Sequence, residues 1–476
     1  MRITLLTAAL LAGCAVGPDY QQPPASEPAA FANADAADYV AEPVRAAFWK
    51  AFDDALLAEL VERARGANHE LRIALARLNE ARALRRESVY DALPVYTAEA
   101  GYSETQQSAD QRPGESRDAR QSELYSGAFD AVWELDFFGR VRRGIEASHA
   151  SEQALEADLR DAQVSVAAEI ARTYFELRAA QQRLAVATRN ATNQSATLDY
   201  VEARVEAGRG TEFDQLRARS QLLTTRATIP QFETAVATAM HRLAVLIGEP
   251  PAALRERLSP PRELPVLPRL TAIGDPAELL RRRPDVRAAE RRLAALTARV
   301  GVATAELFPV VRFSGEIGFA VADADDAGSA VGETWGVGPS ISWAALDFGH
   351  VRARIDQAEA RADGALAGYE QAVLRALEET ENALLAYGRN RRRLELLAGT
   401  VDAARRAAGF AELRYDGGAS DFLDVLDAQR AQLEAEDRYV QARLDAANSL
   451  VALYKALGGG WERPDPKQQT AMRRAD

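Results

Sequence analysis

The spacing of apolar positions changes abruptly inside the segment WELDFFGRVR, residues 133–142. Before it, the apolar residues from Tyr125 to Trp133 fall on alternate positions, which is typical of a β-strand with two unlike faces. After Gly139, apolar residues recur every three or four positions, with no proline, as far as Ala207. The pattern predicts a strand that ends at a glycine and leads directly into a very long helix.

The same change of period occurs a second time, in the segment WAALDFGHVR at residues 343–352. The two segments share a Trp, a Leu-Asp-Phe triplet, a Gly and a Val-Arg pair, and 211 positions separate Asp136 from Asp347. A joint that occurs twice predicts a tandem repeat in which each half is a helix, a β-hairpin, a long helix, a turn and a return helix. The predicted boundaries are 53–247 for the first repeat (hairpin 95–134, long helix 140–207, return helix 211–247), 248–276 for a proline-rich linker, and 277–457 for the second repeat (hairpin 310–345, long helix 350–415, return helix 421–457).

The four predicted strands have the length and alternation of membrane-barrel strands, about ten residues each, with aromatic residues toward the strand ends. No apolar run after residue 14 approaches the ~20 residues that a membrane-spanning helix needs, so any membrane span would consist of strands. Asp130, Arg312 and Glu316 are then expected to face a lumen. The residues expected to face lipid or its interfaces are Tyr96, Tyr102, Tyr125, Phe129, Trp133, Phe313, Phe319, Trp335 and Trp343.

Four strands cannot close a barrel, and a sheet edge with unpaired backbone groups is not tolerated in hydrocarbon. We therefore expect several copies of the chain to share one barrel. Three copies would supply twelve strands, which is within the range of membrane barrels and wide enough for a lumen. The predicted fold class is an α+β membrane protein with a tandem structural repeat, in which each protomer of a trimer contributes long helices to a coiled-coil barrel and four strands to a 12-strand β-barrel.

The first fourteen residues contain the sole cysteine of the chain, Cys14. A short basic start and an apolar stretch precede Leu-Ala-Gly-Cys, which resembles the lipobox of bacterial lipoproteins. This predicts a signal peptide over 1–13, lipidation at Cys14, and an extended arm over 14–52. The alternative is an ordinary secretory signal with an incidental cysteine. At the other end, residues 458–476 are predicted to form a flexible tail.

Composition and charge narrow the functional classes. The chain has 476 residues, 47% hydrophobic, which is too apolar for a disordered protein, and a net charge of −12, which is unsuited to binding nucleic acid. Asp347-Phe348-Gly349 spells a kinase triplet without the other kinase motifs, and the four histidines are scattered. We therefore predict no enzymatic activity, no cofactor and no metal site.

Several segments together resemble the outer-membrane efflux channels of the TolC type, in particular the lipidated, NodT-like drug-efflux branch associated with pumps of the RND class. They are the lipobox at Cys14, the strand exits LDFFGRVR and LDFGHVR, the segment RRPDV at residues 282–286, and the turns GRGTEFDQL and GGASDFLDVLDAQR. The resemblance covers residues 14–460 and implies a homotrimeric exit duct in the outer membrane, anchored by lipid, with a large periplasmic domain. It implies a periplasmic adaptor protein and an inner-membrane pump as partners. The alternative is a non-conducting coiled-coil lipoprotein that acts as an envelope spacer.

The resemblance also implies roles for the two turns between the paired helices. Asp424 and Asp427 are three residues apart on one helix face, and the alternative to a role in the pore is that this face is simply solvated. Asp421 lies near a helix N-terminus, where its charge can complement the helix dipole. If the resemblance holds, Arg217 would pair with Asp424 or Asp427 of a neighbouring helix, and each Asp would form a ring of three carboxylates. The implied pore-gate residues are Asp424, Asp427, Asp214, Arg217 and Tyr415, and the implied adaptor contacts are Gly208, Gly210, Thr211, Gly417, Gly418 and Ser420.

Overall fold

The computed structural model describes residues 15–24, 28–34, 39–40, 42, 47–268 and 271–461. The predicted signal peptide, the predicted lipidation site Cys14 and residues 462–476 lie outside this described part. Among the described residues, no helix combines the length and the apolarity needed to cross a membrane.

The first repeat contains the elements in the predicted order. Asp54 caps the first helix, because its carboxylate accepts hydrogen bonds from the backbone N–H groups of Leu56 and Leu57. The elements are β1 (Tyr39–Val40) in the arm, α1 (Ala55–Ala67), α2 (His69–Tyr90), β2 (Val95–Gln106), β3 (Gln121–Leu135), α3 (Arg140–Glu206) and α4 (Glu212–Leu246).

The linker and the second repeat follow the same plan. The two long helices have 67 and 69 residues, which corresponds to roughly 100 Å each at 1.5 Å per residue. The elements are α5 (Arg255–Leu258), β4 (Thr271–Ala272), α6 (Pro276–Arg282), α7 (Pro284–Ala305), β5 (Val310–Val321), β6 (Glu333–Ser342), α8 (Phe348–Asp416) and α9 (Phe422–Ala456).

The opening helix of each repeat, which we predicted as one element, is divided in two. The breaks fall at Asn68 and Arg283, both of which have an extended backbone conformation. At Arg283 the cause is the following residue, Pro284, because proline disfavours the helical conformation of its predecessor. At Asn68 the side chain accepts a hydrogen bond from the N–H of Leu71 and so caps α2 as a new helix.

The main sheet is antiparallel, with the strand order β2-β3-β5-β6. The hairpins of the two repeats are joined side by side, because β3 of the first repeat pairs with β5 of the second. A small parallel pairing between β1 and β4 connects the arm with the linker. Within the described part of the chain, β2 and β6 each have a hydrogen-bonded neighbour on one side only.

The described residues form two compact units. One unit comprises residues up to 24, 77–156 and 288–371, and it contains the main sheet. The other comprises residues 25–76, 157–287 and those from 372 onward, and it contains the largest hydrophobic core. Both repeats contribute to each unit.

The arm contributes aromatic residues to the large core. Phe48, Trp49 and Phe52 are buried within this core. The Phe48 ring stacks on Tyr454 with centroids 5.3 Å apart, and the Phe52 ring meets Phe175 edge-on at 4.9 Å. The arm is therefore fixed to the long helix of one repeat and the return helix of the other.

The prediction of a flexible tail from residue 458 is wrong for its first four residues. Gly458 to Gly460 are buried, and Trp461 is buried beneath the guanidinium group of Arg160, which lies 5.0 Å from the ring centroid. Gly458 also accepts a hydrogen bond from Arg282. Gly458 and Gly460 have positive φ values, which let the chain turn after α9 and pack tightly on the core.

Two different side chains, at equivalent positions of the two repeats, donate hydrogen bonds to the last carbonyl groups of the two return helices. Asn68 and Arg283 are 215 positions apart, as are Pro94 and Pro309. The amide of Asn68 donates to the carbonyl of Leu246 at 2.8 Å, whereas the guanidinium of Arg283 donates to the carbonyl of Ala456 at 3.0 Å. Arg283 also contacts the carboxylates of Asp285 and Glu379, each at 2.7 Å.

We expect Asn68→Ala to lower the free energy of unfolding by about 1–3 kcal/mol, because two buried hydrogen bonds lose their partner. Thermal unfolding of the purified protein in detergent would measure the change. Asn79→Ala is the control, since Asn79 is exposed and its side chain accepts only a 3.4 Å contact from Arg82. Equal melting temperatures for the two variants would contradict this role of Asn68.

Candidate functional site

One face of the main sheet carries the aromatic residues that were expected to face lipid, except Trp343, which directly follows the end of β6. The register places Tyr102 opposite Tyr125, and Trp133 opposite Phe313. Because alternate residues of a strand share a face, the remaining predicted residues of β2, β3, β5 and β6 follow on that same face. Tyr96 is 76% exposed and Trp335 is 72% exposed, so in one chain this face is a broad uncovered apolar surface.

The opposite face of the sheet is polar. Asp130 lies directly opposite Glu316, and Glu134 lies opposite Arg312 with 3.9 Å between their charged groups. On the last strand, this face carries mainly glycine and serine. The structure thus brings Asp130, Arg312 and Glu316 onto one face, and separates them from the aromatic residues.

The two joints between strand and long helix repeat one hydrogen bond. The indole N–H of Trp133 donates to the carbonyl of Ala92, and the indole N–H of Trp343 donates to the carbonyl of Leu307, both at 3.0 Å. In each case the acceptor lies two residues before the proline that precedes the first strand of the hairpin. The pair of bonds fixes each hairpin to its helices in the same way.

The two turns between paired helices have the same backbone geometry. Gly208 and Gly418 both have a φ of 70°, a left-handed conformation that side chains other than glycine rarely adopt. The N–H of Arg209 donates to the carbonyl of Arg204, and the N–H of Ala419 donates to that of Arg414, both at 2.8 Å. Each turn is therefore a glycine-dependent helix terminus of the Schellman type. The predicted tip residues Gly208, Gly210, Thr211, Gly417, Gly418 and Ser420 all lie in these turns.

The helices that follow the two turns are capped differently. Thr211 accepts a hydrogen bond from the N–H of Asp214, and its hydroxyl donates to the Asp214 carboxylate at 2.7 Å. In the second turn Asp421 makes no capping bond with its side chain, and the hydroxyl of Ser420 is buried without a partner. The carboxylate of Asp214, a predicted gate residue, is thus engaged within its own turn by the cap residue Thr211.

An aromatic cluster packs behind the second turn. The Tyr415 ring lies 5.3 Å from Phe422 and 6.2 Å from Tyr200, and the Arg204 guanidinium stacks on it at 4.7 Å. Burial raises the pKa of Tyr415 above its usual range. Of these residues only Tyr415 was predicted. Tyr200 and Arg204 are one helical turn apart, a spacing that offered a signal for a stacked pair.

The other predicted gate residues are solvent-accessible in the single chain. Asp424 and Asp427 are exposed, and Asp427 forms a 3.3 Å ion pair with Arg430. Arg217 stacks on the ring of Phe213 at 5.1 Å. The partner that this chain gives Arg217 is therefore an aromatic ring of its own helix, and the predicted pairing with Asp424 or Asp427 requires a second copy.

A buried carboxylate that the sequence reasoning missed ties three helices together. Glu436 of α9 accepts hydrogen bonds from Arg189 of α3 at 2.6 Å and from Arg405 of α8 at 2.7 Å. Burial by itself raises the pKa of Glu436, but the bonds from Arg405, Gln432 and Arg189 hold it below its usual range. The ionised Glu436 carboxylate therefore stabilises the folded protein at pH values above its unfolded-state pKa. This stabilisation is lost as the pH falls through its folded-state pKa. The available signal was an acidic residue in the apolar phase of a helix.

No group of three or more potential metal ligands occurs among the residues that the structure describes. What the described residues do provide is an amphipathic sheet on long paired helices, which is the architecture of a membrane channel subunit.

Comparison with known proteins identifies the family. The profile described as "Outer membrane efflux protein" matches residues 60–249 and 276–459. The toluene efflux pump outer membrane protein TtgI of Pseudomonas putida is 32% identical over 462 residues, covering 95% of this chain and 96% of the relative. Nodulation protein T of Rhizobium leguminosarum is 30% identical over 465 residues, covering 97% and 98%. The solved outer-membrane channel OprN is 47% identical with a TM-score of 0.88, covering 94% of this chain and all of that one.

The chain belongs to the outer membrane efflux protein family. It is an outer-membrane channel that serves as the exit duct of a tripartite efflux system. This confirms the predicted family, the predicted combination of long helices with an antiparallel sheet, and the predicted function, and it favours the exit duct over the envelope spacer. The family is one of transport channels, not of enzymes.

We expect Thr211→Ala to increase local opening of the first turn of α4 about fivefold, since loss of a cap costs about 1 kcal/mol. Hydrogen exchange of the amides of residues 212–215 would measure it. Ser420→Ala is the control, because the hydroxyl of Ser420 has no partner to lose. Faster exchange in the Ser420 variant than in the Thr211 variant would contradict the difference between the two caps.

Proposed function

We propose that three copies of the chain close a 12-strand barrel in the outer membrane, with the aromatic face toward lipid and the polar face toward the lumen. The observation that supports this is the amphipathic four-stranded sheet with one-sided pairing of β2 and β6. Unpaired strand edges are costly in hydrocarbon, and pairing β6 of one copy with β2 of the next removes them. Each chain then contributes a third of the barrel.

The proposed anchor of this duct is a lipid on Cys14. Its support is the segment Leu-Ala-Gly-Cys after an apolar stretch, with the sole cysteine of the chain at the expected position. A single acyl chain gives only marginal membrane binding, but the lipids of three copies in one trimer would bind together. The anchor and the barrel would then hold the same membrane.

The proposed partners are a periplasmic adaptor protein, which would contact the two tips, and an inner-membrane pump of the RND class driven by protons. The tips are suited to contact because Gly208, Gly417 and Gly418 are exposed. As cargo we propose small organic compounds and not soft metal ions. The support is the scarcity of soft ligands, with three methionines and one cysteine in the chain, together with the name of the relative TtgI, a toluene efflux pump component.

The proposed gate consists of Asp424 and Asp427 at the second tip. Both carboxylates are exposed in the single chain, where Asp427 forms a 3.3 Å ion pair with Arg430. In a trimer each would form a ring of three negative charges, which attracts cations and favours their passage. Three other predicted gate residues stay outside this proposal, because in the single chain Asp214 accepts a hydrogen bond from Thr211, Arg217 stacks on Phe213 and Tyr415 packs against Phe422.

We expect Gly315→Arg to destabilise the folded protein by ~2–4 kcal/mol, because it would place a charge on the proposed lipid face at mid-strand. Gly338→Arg is the matched control, since its strand position belongs to the polar face and a new Cβ there meets nothing within 4 Å. Heat resistance of the trimer in detergent and its yield in the outer membrane would measure both. A larger loss for Gly338→Arg would reverse the assignment of the two faces.

We expect the double variant Asp424→Ala with Asp427→Ala to keep its trimer and barrel, to conduct more in planar bilayers, and to lose block by multivalent cations. Glu434→Ala is the control, because Glu434 is an exposed acid of the same helix that is paired with Arg438. Unchanged conductance together with unchanged block in the double variant would show that the two residues form an ordinary solvated face.

A further inference from the structure

Residues 15–20, the docking segment, lie against the joint between β3 and α3. The N–H of Val16 donates to the carbonyl of Phe138 at 3.1 Å. The hydroxyl of Tyr20 donates to the carboxylate of Glu290, and the guanidinium of Arg291 covers the Tyr20 ring at 5.2 Å. The segment is thus held by the backbone of the joint at one end and by α7 at the other.

Arg143 holds the middle of the docking segment. Its side chain is only 5% exposed, although it carries a full charge. It donates to the carbonyls of Val16 at 3.2 Å and Gly17 at 3.4 Å, and to the carboxylate of Asp19 at 2.6 Å. A buried guanidinium of this kind needs acceptors in a fixed arrangement, and here the arm supplies three of them.

Three glycines make room for the docking segment. A Cβ on Gly139 would lie 2.6 Å from the side chain of Ala15, and a Cβ on Gly17 would lie 2.4 Å from Cα of Gly301. A Cβ on Gly301 would in turn lie 2.9 Å from the side chain of Arg143. Gly139 and Gly17 also have φ values of 83° and 86°, which favour glycine a second time. The cleft, defined by Gly139, Arg143 and Gly301, is closely fitted to its occupant.

The second joint shows what the same element looks like without a docked arm. The equivalent of Arg143 is Ala353, 210 positions later, which is the separation of Trp133 from Trp343. The equivalent of Gly139 is Gly349, which is helical and has open space at its Cβ. The helix there begins at Phe348, just before Gly349, whereas α3 begins at Arg140, just after Gly139. The features that differ between the two joints are therefore those that contact the docking segment.

We propose that this cleft is a docking site dedicated to residues 15–20 and that it fixes the lipid attachment point beside the strand-to-helix joint. The proposal rests on the proposed function for the lipid on Cys14. Residue 14 is one Cα–Cα step of about 3.8 Å from Ala15, which contacts Gly139. The joint follows Leu135, the last residue of β3, and presents the exposed apolar residue Phe137. Acyl chains attached here would enter the bilayer alongside the apolar face of the sheet, so the cleft couples the anchor to the depth of the barrel.

Hydrogen exchange of the full-length, membrane-extracted protein tests the docking itself. In the native chain we expect the peptide spanning residues 15–24 to be protected. In Gly17→Val and in Arg143→Gln its exchange should be on the order of tenfold faster, because the fitted contacts and hydrogen bonds are lost. Gly17→Val alters only the arm, so it remains informative if Arg143→Gln impairs folding. An unprotected native peptide, or unchanged exchange in Gly17→Val, would overturn the proposal.

Two controls match these variants in the same unit. Gly114→Val replaces a glycine with a φ of 90° where nothing lies within 4 Å, so it reproduces the backbone strain without the clash. Arg354→Gln removes a half-exposed arginine that pairs with Glu306 at 2.9 Å. Both should leave the exchange of residues 15–24 unchanged. Faster exchange in both controls would mean that the arm responds to any disturbance of the unit, which would overturn a dedicated cleft.

Membrane recovery tests the consequence for the lipid. The mass of the amino-terminal peptide should show acylation in the native chain and in Gly17→Val, whereas the yield of heat-resistant trimer in the outer membrane should fall several-fold only in the variant. Normal yield with a released arm would overturn the coupling of anchor to barrel depth. An unacylated native terminus would contradict the proposed lipid anchor, and hence this role of the cleft, whereas the exchange result would still decide the docking of the arm.

Discussion

Hydrogen bonding at the edges of the main sheet is the constraint on which the rest of the structure depends. Inside the sheet the strands satisfy one another, but within the described chain β2 and β6 each have one partner only. An unpaired backbone group in hydrocarbon costs several kcal/mol, and a strand has several of them. A sheet with one apolar and one polar face and two such edges is therefore incomplete as a unit. The proposed barrel accounts for the separation of aromatic from polar residues, because further strands would continue the sheet into a closed surface between lipid and water.

The tandem repeat builds this architecture from one plan that is used twice, and the positions where the two halves differ indicate specialised contacts. The two Trp-to-carbonyl bonds and the two glycine turns are preserved in both halves. The halves differ at the joint that receives the arm, at the caps of the return helices and at the breaks in the opening helices. Some of these differences occur where one half contacts a segment, such as the arm, that the other half does not contact. The others occur where the two halves use different hydrogen-bonding side chains at equivalent positions. Conserved geometry thus marks the common scaffold, and altered geometry marks specialised contacts.

The sequence was sufficient for features that depend on local periodicity and backbone conformation. Alternation over β2, β3, β5 and β6 predicted both faces of the sheet, and the glycines after the long helices predicted the turns. Features that depend on which elements meet in three dimensions were missed. The sequence does not show that Glu436 meets Arg189 and Arg405 of two other helices. Asp214 was predicted as a gate residue, but in the structure its carboxylate accepts a hydrogen bond from the cap residue Thr211. The burial of residues 458–461 likewise depends on contacts with distant parts of the chain, which no local pattern encodes.

The unequal pair formed by Asn68 and Arg283 has a consequence for the response of the channel to dissolved salt. Asn68 closes its return helix through neutral amide bonds, which mobile ions do not screen. Arg283 works alongside two carboxylates, of which Glu379 is 59% exposed and Asp285 is 36% exposed. At physiological ionic strength the screening length is about 8 Å, so ions can weaken the more exposed part of this arrangement. The amide hydrogen bonds of Asn68 that hold one return helix are therefore insensitive to salt. The ion pairs that accompany Arg283 at the other return helix weaken as the salt concentration rises.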